Sequence, residues 1–437
     1  MRVTDSARRI DGRLRVFNHL VEAEEPGVGR LSGYYVSVKD NLCVRGMPAT
    51  AGSRVLEGYV PPFDATCVEK CRGEGASILG KTTMDEFGFG SFNVNTPFKV
   101  PLNPHDPERC TGGSSGGAAA VTASAGFPHV ALAESTGGSI SCPAAFCGVV
   151  GVTPTYGRVS RWGLIDFANS LDKVGCMAKT VAEAAQALSV MSGPDAYDST
   201  AIRGTAPDYA ACVGRGVVGL RVGVPREYYG EGVDPGVASR VWAAVKRLEG
   251  LGAAVSEVGM PHTGVSLSCY YVMAMAEAST NLARFSGLRY GLHAPLEGGF
   301  DEYFAGVRSA GFGEEAKRRI ILGTYARMAG YRDAYYLKAL RVRTLVIRDF
   351  KRAFEGVDVL AAPTMPVVAP RFDEIARLEP LEHYMMDVLT VAPNVAGVPM
   401  ISVPCGEVGG LPVGLHLVAD HMREDLLFRT AGAVEVG

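Results

Sequence analysis

The chain has 437 residues, of which 47% are hydrophobic and 20% charged, and its net charge is −3. That is enough apolar sequence for a large buried core, and the near-neutral balance gives no reason to expect direct nucleic-acid or membrane binding. The polar start from Met1 to Arg15 lacks the apolar centre of a secretory signal, and no run of about 18 apolar residues exists, so a cytoplasmic protein without a membrane span is expected.

Taken in chain order, Tyr34 to Val38 reads as a short β-strand. Asp64 to Gly73 reads as a helix start capped by Asp64, and Ala76 to Leu79 as a strand. Gly116 to Ala125 is Ala-rich, follows a glycine loop and predicts a helix; His129 to Ala133 predicts the next strand. Asp234 and Pro235 resemble an N-cap and first helical residue, after which Val237, Val241, Val245 and Leu248 share one helical face. Gly252 ends that run, and Ala253 to Val258 predicts a strand. From about 266 to 354 the chain is rich in helix formers, Tyr and Arg, which predicts a helical layer carrying part of a binding site. β-rich pieces return at Val357 to Ala361, Met400 to Val403 and Gly414 to Val418, placed to rejoin the sheet opened near the N-terminus. The alternation predicts an α/β fold, and one large domain over 1–437 fits better than two.

The ten cysteines are scattered. Neither Cys67 and Cys71 nor Cys142 and Cys147 make a C-x-x-C pair, and no histidine pair is near them. They read as small buried hydrophobes in a reducing compartment, and no metal site is expected in this chain.

Two glycine–serine segments carry the chemistry: Thr111-Gly112-Gly113-Ser114-Ser115-Gly116-Gly117 and Ser135-Thr136-Gly137-Gly138-Ser139. Glycine lets a backbone approach a ligand closely, and consecutive N–H groups in such a turn can converge on an anion. A phosphate loop needs Lys then Ser or Thr after its last glycine, whereas Gly117 is followed by three alanines, so the sequence argues against nucleotide binding there. The oxyanion of an acyl-transfer intermediate fits better. Gly112-Gly113-Ser114-Ser115-Gly116 also satisfies the G-x-S-x-G elbow of α/β-hydrolases, which would require one of His262, His293, His383, His416 or His421 as base.

These segments resemble the amidase signature family. The match continues through Pro143 to Gly151 and Pro154-Thr155-Tyr156-Gly157-Arg158-Val159-Ser160, and includes Val38-Lys39-Asp40-Asn41 and Gly80 to Phe87 upstream. Asp333-Ala334-Tyr335-Tyr336 and Gly397-Val398-Pro399 are similar to the glutaminase subunits of tRNA-dependent amidotransferases within that family. The resemblance implies a mixed central β-sheet covered by helices on both faces. It implies Ser139 as nucleophile, Ser114 as proton relay after a cis Gly113–Ser114 peptide, with Ser115 as the competing relay, and Lys39 as base. It implies an oxyanion hole from the backbone near Thr136, Gly137 and Gly138. For glutamine, it implies Tyr270, Arg319 and Asp387, with Arg on the α-carboxylate and Asp on the α-ammonium; adjacent Tyr271 and Arg318 are the alternatives.

The partners that the resemblance implies are glutamine, a larger B-type amidotransferase subunit that binds ATP, magnesium and the tRNA, and a small C-type subunit. No cofactor is expected on this chain. Two other readings stay open: a stand-alone small-molecule amidase, and a catalytically weakened scaffold of the same fold. The second is motivated by departures from the family, since Ser135 and Ser141 stand where Asp and Arg are usual; Thr153 also stands where the family has Lys or Arg. A lysine base must be neutral to act, and burial supplies that shift. Strand alternation points Asp40 away from Lys39, so Asp40 need not hold Lys39 charged.

Overall fold

The computed structural model describes residues 2–435; the ends of the expected 1–437 domain lie outside the described residues. Its centre is an eleven-stranded sheet: β1 (Phe17–Leu20), β2 (Tyr35–Lys39), β3 (Ser77–Thr82), β4 (His129–Ser135), β5 (Val150–Thr153), β6 (Lys173–Ala178), β7 (Arg221–Pro225), β8 (Ala254–Val258), β9 (Val359–Pro363), β10 (Met400–Val408) and β11 (Leu411–Ala419). The order across the sheet is β1-β3-β2-β4-β6-β5-β10-β11-β9-β7-β8. The sheet is mixed. β2 runs parallel to both β3 and β4, and β7 parallel to β8 and β9, while the strands between these two groups pair antiparallel.

The C-terminal β10–β11 hairpin joins the two halves, because Met400 pairs with Thr153 on one side and Leu415 with Pro363 on the other. The late β-rich pieces therefore do rejoin the early sheet. Along β2 and β4, Val36, Val38, Val130 and Leu132 face one core cluster, while Ala131 and Ala133 face another. That period of two is what a sheet covered on both faces requires.

Helices α1 (Val3–Leu14), α2 (Thr66–Gly73), α3 (Gly116–Ser124), α4 (Ser141–Cys147), α5 (Val181–Met191) and α6 (Pro235–Gly250) flank the sheet. In α6 the Asp234 carboxylate accepts the N–H groups of Gly236 (2.7 Å) and Val237 (3.0 Å), and Val237, Val241, Val245 and Leu248 are buried, as the sequence pattern predicts. The cap expected at Asp64 is not formed. α2 begins after Ala65, because the Asp64 carboxylate accepts the Arg45 N–H (2.7 Å) and pairs with Arg72 (3.4 Å), tying down the preceding loop.

The helical layer comprises α7 (Thr263–Asn281), α8 (Phe300–Gly311), α9 (Glu314–Arg327) and α10 (Lys338–Gly356), with irregular chain over 285–299. The Glu86 carboxylate fixes the start of α9 by accepting the Gly313 N–H (2.9 Å) and the Ser53 hydroxyl (2.5 Å). Nine cysteines are buried and Cys405 is half-buried, none in a disulfide. No helix among the described residues is long and apolar enough to cross a membrane.

One buried ion pair anchors the N-terminal half of the sheet. Lys81 Nζ on β3 lies 3.1 Å from Asp40 Oδ1, and it also donates to the carbonyls of Asp40 (3.3 Å) and Pro48 (3.4 Å). Asp40 Oδ2 accepts from Asn18 (3.0 Å) and Thr50 (2.5 Å). Removing one partner of such a pair leaves an uncompensated buried charge. Lys81→Met is therefore expected to destabilise the protein by about 3–5 kcal/mol, read as a lower urea midpoint; an unchanged midpoint would contradict this role.

Candidate active site

In a parallel sheet covered by helices, functional groups gather where the strands end. Lys39 is the last residue of β2, and Glu134 and Ser135 are the last two of β4. Lys39 is fully buried. Its Nζ has three acceptors: Ser114 Oγ at 2.8 Å, the Glu134 carbonyl at 2.9 Å and Glu134 Oε2 at 3.1 Å. Ser115 turns its hydroxyl to the Glu134 carbonyl instead (3.3 Å) and precedes α3. The structure thus brings Ser114, and not Ser115, to the lysine. The Gly113–Ser114 peptide is cis, as the resemblance implies. A Cβ on Gly113 would overlap the Asp85 carboxylate and crowd the Asn93 N–H at 2.7 Å, so only glycine fits this approach.

Burial pushes the Lys39 ammonium pKa down, and Glu134 pulls it back up. Asp40 does face away from Lys39, toward Lys81. The carboxylate that does face it is Glu134, which sequence reasoning missed. The signal was there: a lone acid inside the apolar strand His-Val-Ala-Leu-Ala-Glu-Ser asks for a buried cation. Glu134 Oε2 also accepts from Asn41 Nδ2 (3.0 Å). Its other oxygen, Oε1, lies 2.7 Å from the Thr136 hydroxyl, which in turn lies 2.8 Å from Asp172 Oδ1. Asp172 Oδ2 accepts the N–H groups of Phe167 (3.1 Å) and Ala168 (3.0 Å). Burial, with Glu134 and Asp166 nearby, raises the Asp172 carboxyl pKa well above the usual range.

Ser139 sits on the second glycine turn, 7% exposed, and its hydroxyl has no hydrogen-bond partner among the described residues. The N–H groups of Gly137, Gly138 and Ser139 likewise donate no hydrogen bond among the described residues, which leaves them available for an oxyanion. The turn is clamped from the helical side. A Cβ on Gly137 would meet the Tyr270 ring at 2.8 Å, one on Gly138 would fall on Thr390, and the Asn394 amide donates to the Gly137 carbonyl.

A cavity of about 220 Å³ opens beside this region, lined in part by Ser91, Tyr271, Glu315, Arg319 and Tyr384. Arg319 is buried, with its guanidinium among the rings of Phe89 (4.8 Å), Tyr271 (5.2 Å) and Tyr384 (5.3 Å). Its Nε donates to Glu315 (2.7 Å), and its terminal nitrogens have no hydrogen-bond partner among the described residues. That is the fork a carboxylate ligand needs. Arg318 is more exposed and pairs with the same Glu315, from the rim. Asp387 Oδ1 accepts from Ser91 (2.7 Å) and Oδ2 from the Tyr271 hydroxyl (2.7 Å). Burial raises the Asp387 pKa, against the pull of these bonds and of Arg319. The structure therefore puts Arg319 and Tyr271 at the cavity, Asp387 behind its wall on Ser91 and Tyr271, and Tyr270 against the second glycine turn. Ser91 also accepts the Gly113 N–H through its carbonyl (2.9 Å), which ties the cavity wall to the relay loop.

None of His262, His293, His383, His416 and His421 hydrogen-bonds to Ser114 or Ser139 among the described residues, so the α/β-hydrolase arrangement has no base here. The departures at Ser135, Ser141 and Thr153 leave three buried hydroxyls without partners among the described residues.

The amidase family model matches residues 10–428. The A-type subunit of the glutamyl-tRNA(Gln) amidotransferase of Methanococcoides burtonii is 51% identical over 409 residues, covering 93% of this chain and 85% of that protein. Its counterpart of the same name from Symbiobacterium thermophilum is 48% identical over 433 residues, covering 99% and 87%. The crystal structure of the Thermotoga maritima counterpart superposes with a TM-score of 0.85 at 38% identity, covering 99% of this chain and 90% of that one.

Two outcomes are expected. Gly137→Ala should lower amide hydrolysis on the order of 100-fold or more, because the new methyl must displace Tyr270 from the oxyanion turn; rates within a few-fold of the parent would contradict this. Burial raises the carboxyl pKa values of Asp85 and Glu86 to about 7 each. The unfolded values are about 4, so the native state holds more protons between about pH 4 and 7, and these groups lose stabilisation as pH rises through that window. Glu86→Gln should therefore flatten the fall of the thermal midpoint between about pH 4 and 7, measured by scanning fluorimetry.

Proposed function

This chain belongs to the amidase signature family, and on that premise we propose that it is the glutaminase subunit of a tRNA-dependent amidotransferase. The observation that carries the reading is the buried contact of 2.8 Å between Lys39 Nζ and Ser114 Oγ, next to a glycine turn that presents Ser139 and unused N–H groups. Similarity to the A-type amidotransferase subunits over nearly the whole chain supports the substrate and the assembly.

In this reading Ser139 Oγ attacks the side-chain amide carbon of glutamine. Its proton passes to Ser114, whose own proton passes to Lys39. The carbonyl π electrons move to oxygen, and backbone N–H groups of the turn Thr136, Gly137, Gly138 and Ser139 donate hydrogen bonds to the resulting oxyanion. When the tetrahedral adduct collapses, the C–N bond breaks, Ser114 returns a proton to nitrogen and ammonia leaves. Water then enters by the same relay and releases glutamate. Arg319 takes the α-carboxylate of glutamine and Asp387 its α-ammonium, with Tyr270 and Tyr271 shaping the walls.

The ammonia serves the larger B-type partner, where ATP and magnesium activate the carboxyl of a mischarged aminoacyl-tRNA. Glutamyl-tRNA(Gln) is the acceptor that the relatives' names support, with aspartyl-tRNA(Asn) as a further one. A small C-type subunit completes the assembly, and the tRNA is held mainly by the larger partner.

Lys39→Ala is expected to cut glutamine hydrolysis by the assembled complex by at least about 1,000-fold, while added ammonium chloride still supports amidation of the tRNA. A diazo analogue of glutamine should label Ser139, and Ser139→Ala should abolish the label. Full glutaminase activity of Lys39→Ala would sink the mechanism; fast hydrolysis of simple amides with glutamine ignored would sink the assignment.

A further inference from the structure

Lys39 faces a difficulty as a base. As an ammonium it has three hydrogens, and all three have acceptors: Ser114 Oγ, the Glu134 carbonyl and Glu134 Oε2. In that state Nζ has no lone pair with which to take the Ser114 proton. The group is fully buried, so the surplus proton has no direct route to solvent. Of the three acceptors, only a carboxylate can keep a proton.

We propose that Glu134 is the proton acceptor behind Lys39: a proton moves from Nζ to Oε2 before attack, and Glu134 holds it through both half-reactions. The inference rests on the amidase reading above and deepens it. The balance is simple. The N–H bond to Oε2 breaks as the O–H bond forms, and an ion pair becomes a neutral pair with no change in net charge. The freed lone pair then accepts the Ser114 hydrogen as Ser114 accepts that of Ser139 and the Ser139 Oγ–carbon bond forms. Glu134 acts only through Lys39 and is a positioning residue.

The surroundings fit this assignment. The Thr136 hydroxyl lies within hydrogen-bond distance of both Glu134 Oε1 and Asp172 Oδ1, but it has one hydrogen to give. One of the two carboxyls must therefore donate to it. Asp172 is that one, because burial and its acidic neighbours raise its pKa and the described residues offer it no ion-pair partner. The donor chain runs from Asp172 through Thr136 to Glu134 Oε1, and it leaves Oε2 for Lys39 and Asn41. The other charged or titratable groups that act on this cluster are Asp85 after β3, Asp166 before β6, Tyr270 on α7 and Arg319 on α9. None of them hydrogen-bonds to Lys39 Nζ among the described residues.

The test is the pH profile of kcat/KM for amide hydrolysis by the full chain in its assembled complex. With Glu134 in place the pair is competent while it holds one proton between its members, so activity is lost only when a second proton binds. The acid limb of the wild type should then fall in the carboxyl range, at or below about pH 6. Glu134→Gln removes the acceptor. Its acid limb should move up by at least about one pH unit, toward the deprotonation of Lys39 itself. At pH 7 kcat should drop about 10-fold or more, with KM little changed and activity recovering at high pH. An unmoved acid limb, or an equal loss at every pH, would overturn the proposal. So would a wild-type acid limb above about pH 8, which can be read even if the variant does not fold. Hydrolysis of some other amide in place of glutamine would fail the glutaminase reading alone, because the shift is read on whichever amide is cleaved.

Discussion

A lysine with no access to water, held at the end of β2, is the constraint around which this molecule is arranged. Isolated in an apolar interior, an ammonium costs several kcal/mol and gives up its proton. Here every hydrogen it can offer has an acceptor: one comes from the loop before α3, and the other two from a single residue, Glu134 near the end of β4, through its main chain and its side chain. Parallel pairing of β2 with β3 and β4 makes this possible, because it brings three strand ends to one edge of the sheet. The neighbouring Lys81–Asp40 pair keeps the one sequence-adjacent carboxylate occupied elsewhere. Lys39 is thus left to Glu134.

The helical layer has a complementary task. α7 and the short helix Val391–Ala396 press on the oxyanion turn, which is why that turn consists of glycines where Tyr270 and Thr390 approach. α9 delivers Arg319, and its start is fixed by Glu86 from the segment after β3. The cavity around Arg319 and the glycine–serine turns therefore share supports. The Ser91 side chain holds Asp387 while the Ser91 carbonyl holds Gly113. One residue thus links the cavity wall to the loop before α3.

One departure from the family pattern, Ser135, lies at the end of β4; the others lie on α4 and β5. Ser135, Ser141 and Thr153 are buried hydroxyls where charges are usual, and they lie unpaired among the described residues. One position before Ser135, Glu134 carries a buried negative charge that faces Lys39.

The sequence by itself marked part of the elements and the candidate reactive residues. Period-two apolar runs specify strands buried on both faces, Asp234-Pro235 specifies a helix start, and the two glycine–serine segments specify turns whose backbone can come close to a ligand or a neighbouring side chain. Lys39, Ser114 and Ser139 were legible there because their neighbours form long, specific motifs. Some choices lay beyond it. Ser114 over Ser115, Tyr271 beside Asp387 with Tyr270 on the turn, and Arg319 inside with Arg318 at the rim all separate adjacent residues, and which of two adjacent side chains points inward depends on how a loop or helix is rotated against its neighbours. The cap at Asp64 failed for a similar reason, since a competing partner, Arg45, arrives from a loop 19 positions away. Glu134, Thr136 and Asp172 became a connected chain only in three dimensions, because the link from Thr136 to Asp172 spans 36 positions and that from Lys39 to Glu134 spans 95. Tertiary structure decided those contacts because a buried charge takes whatever partner the packing of distant strands brings within reach.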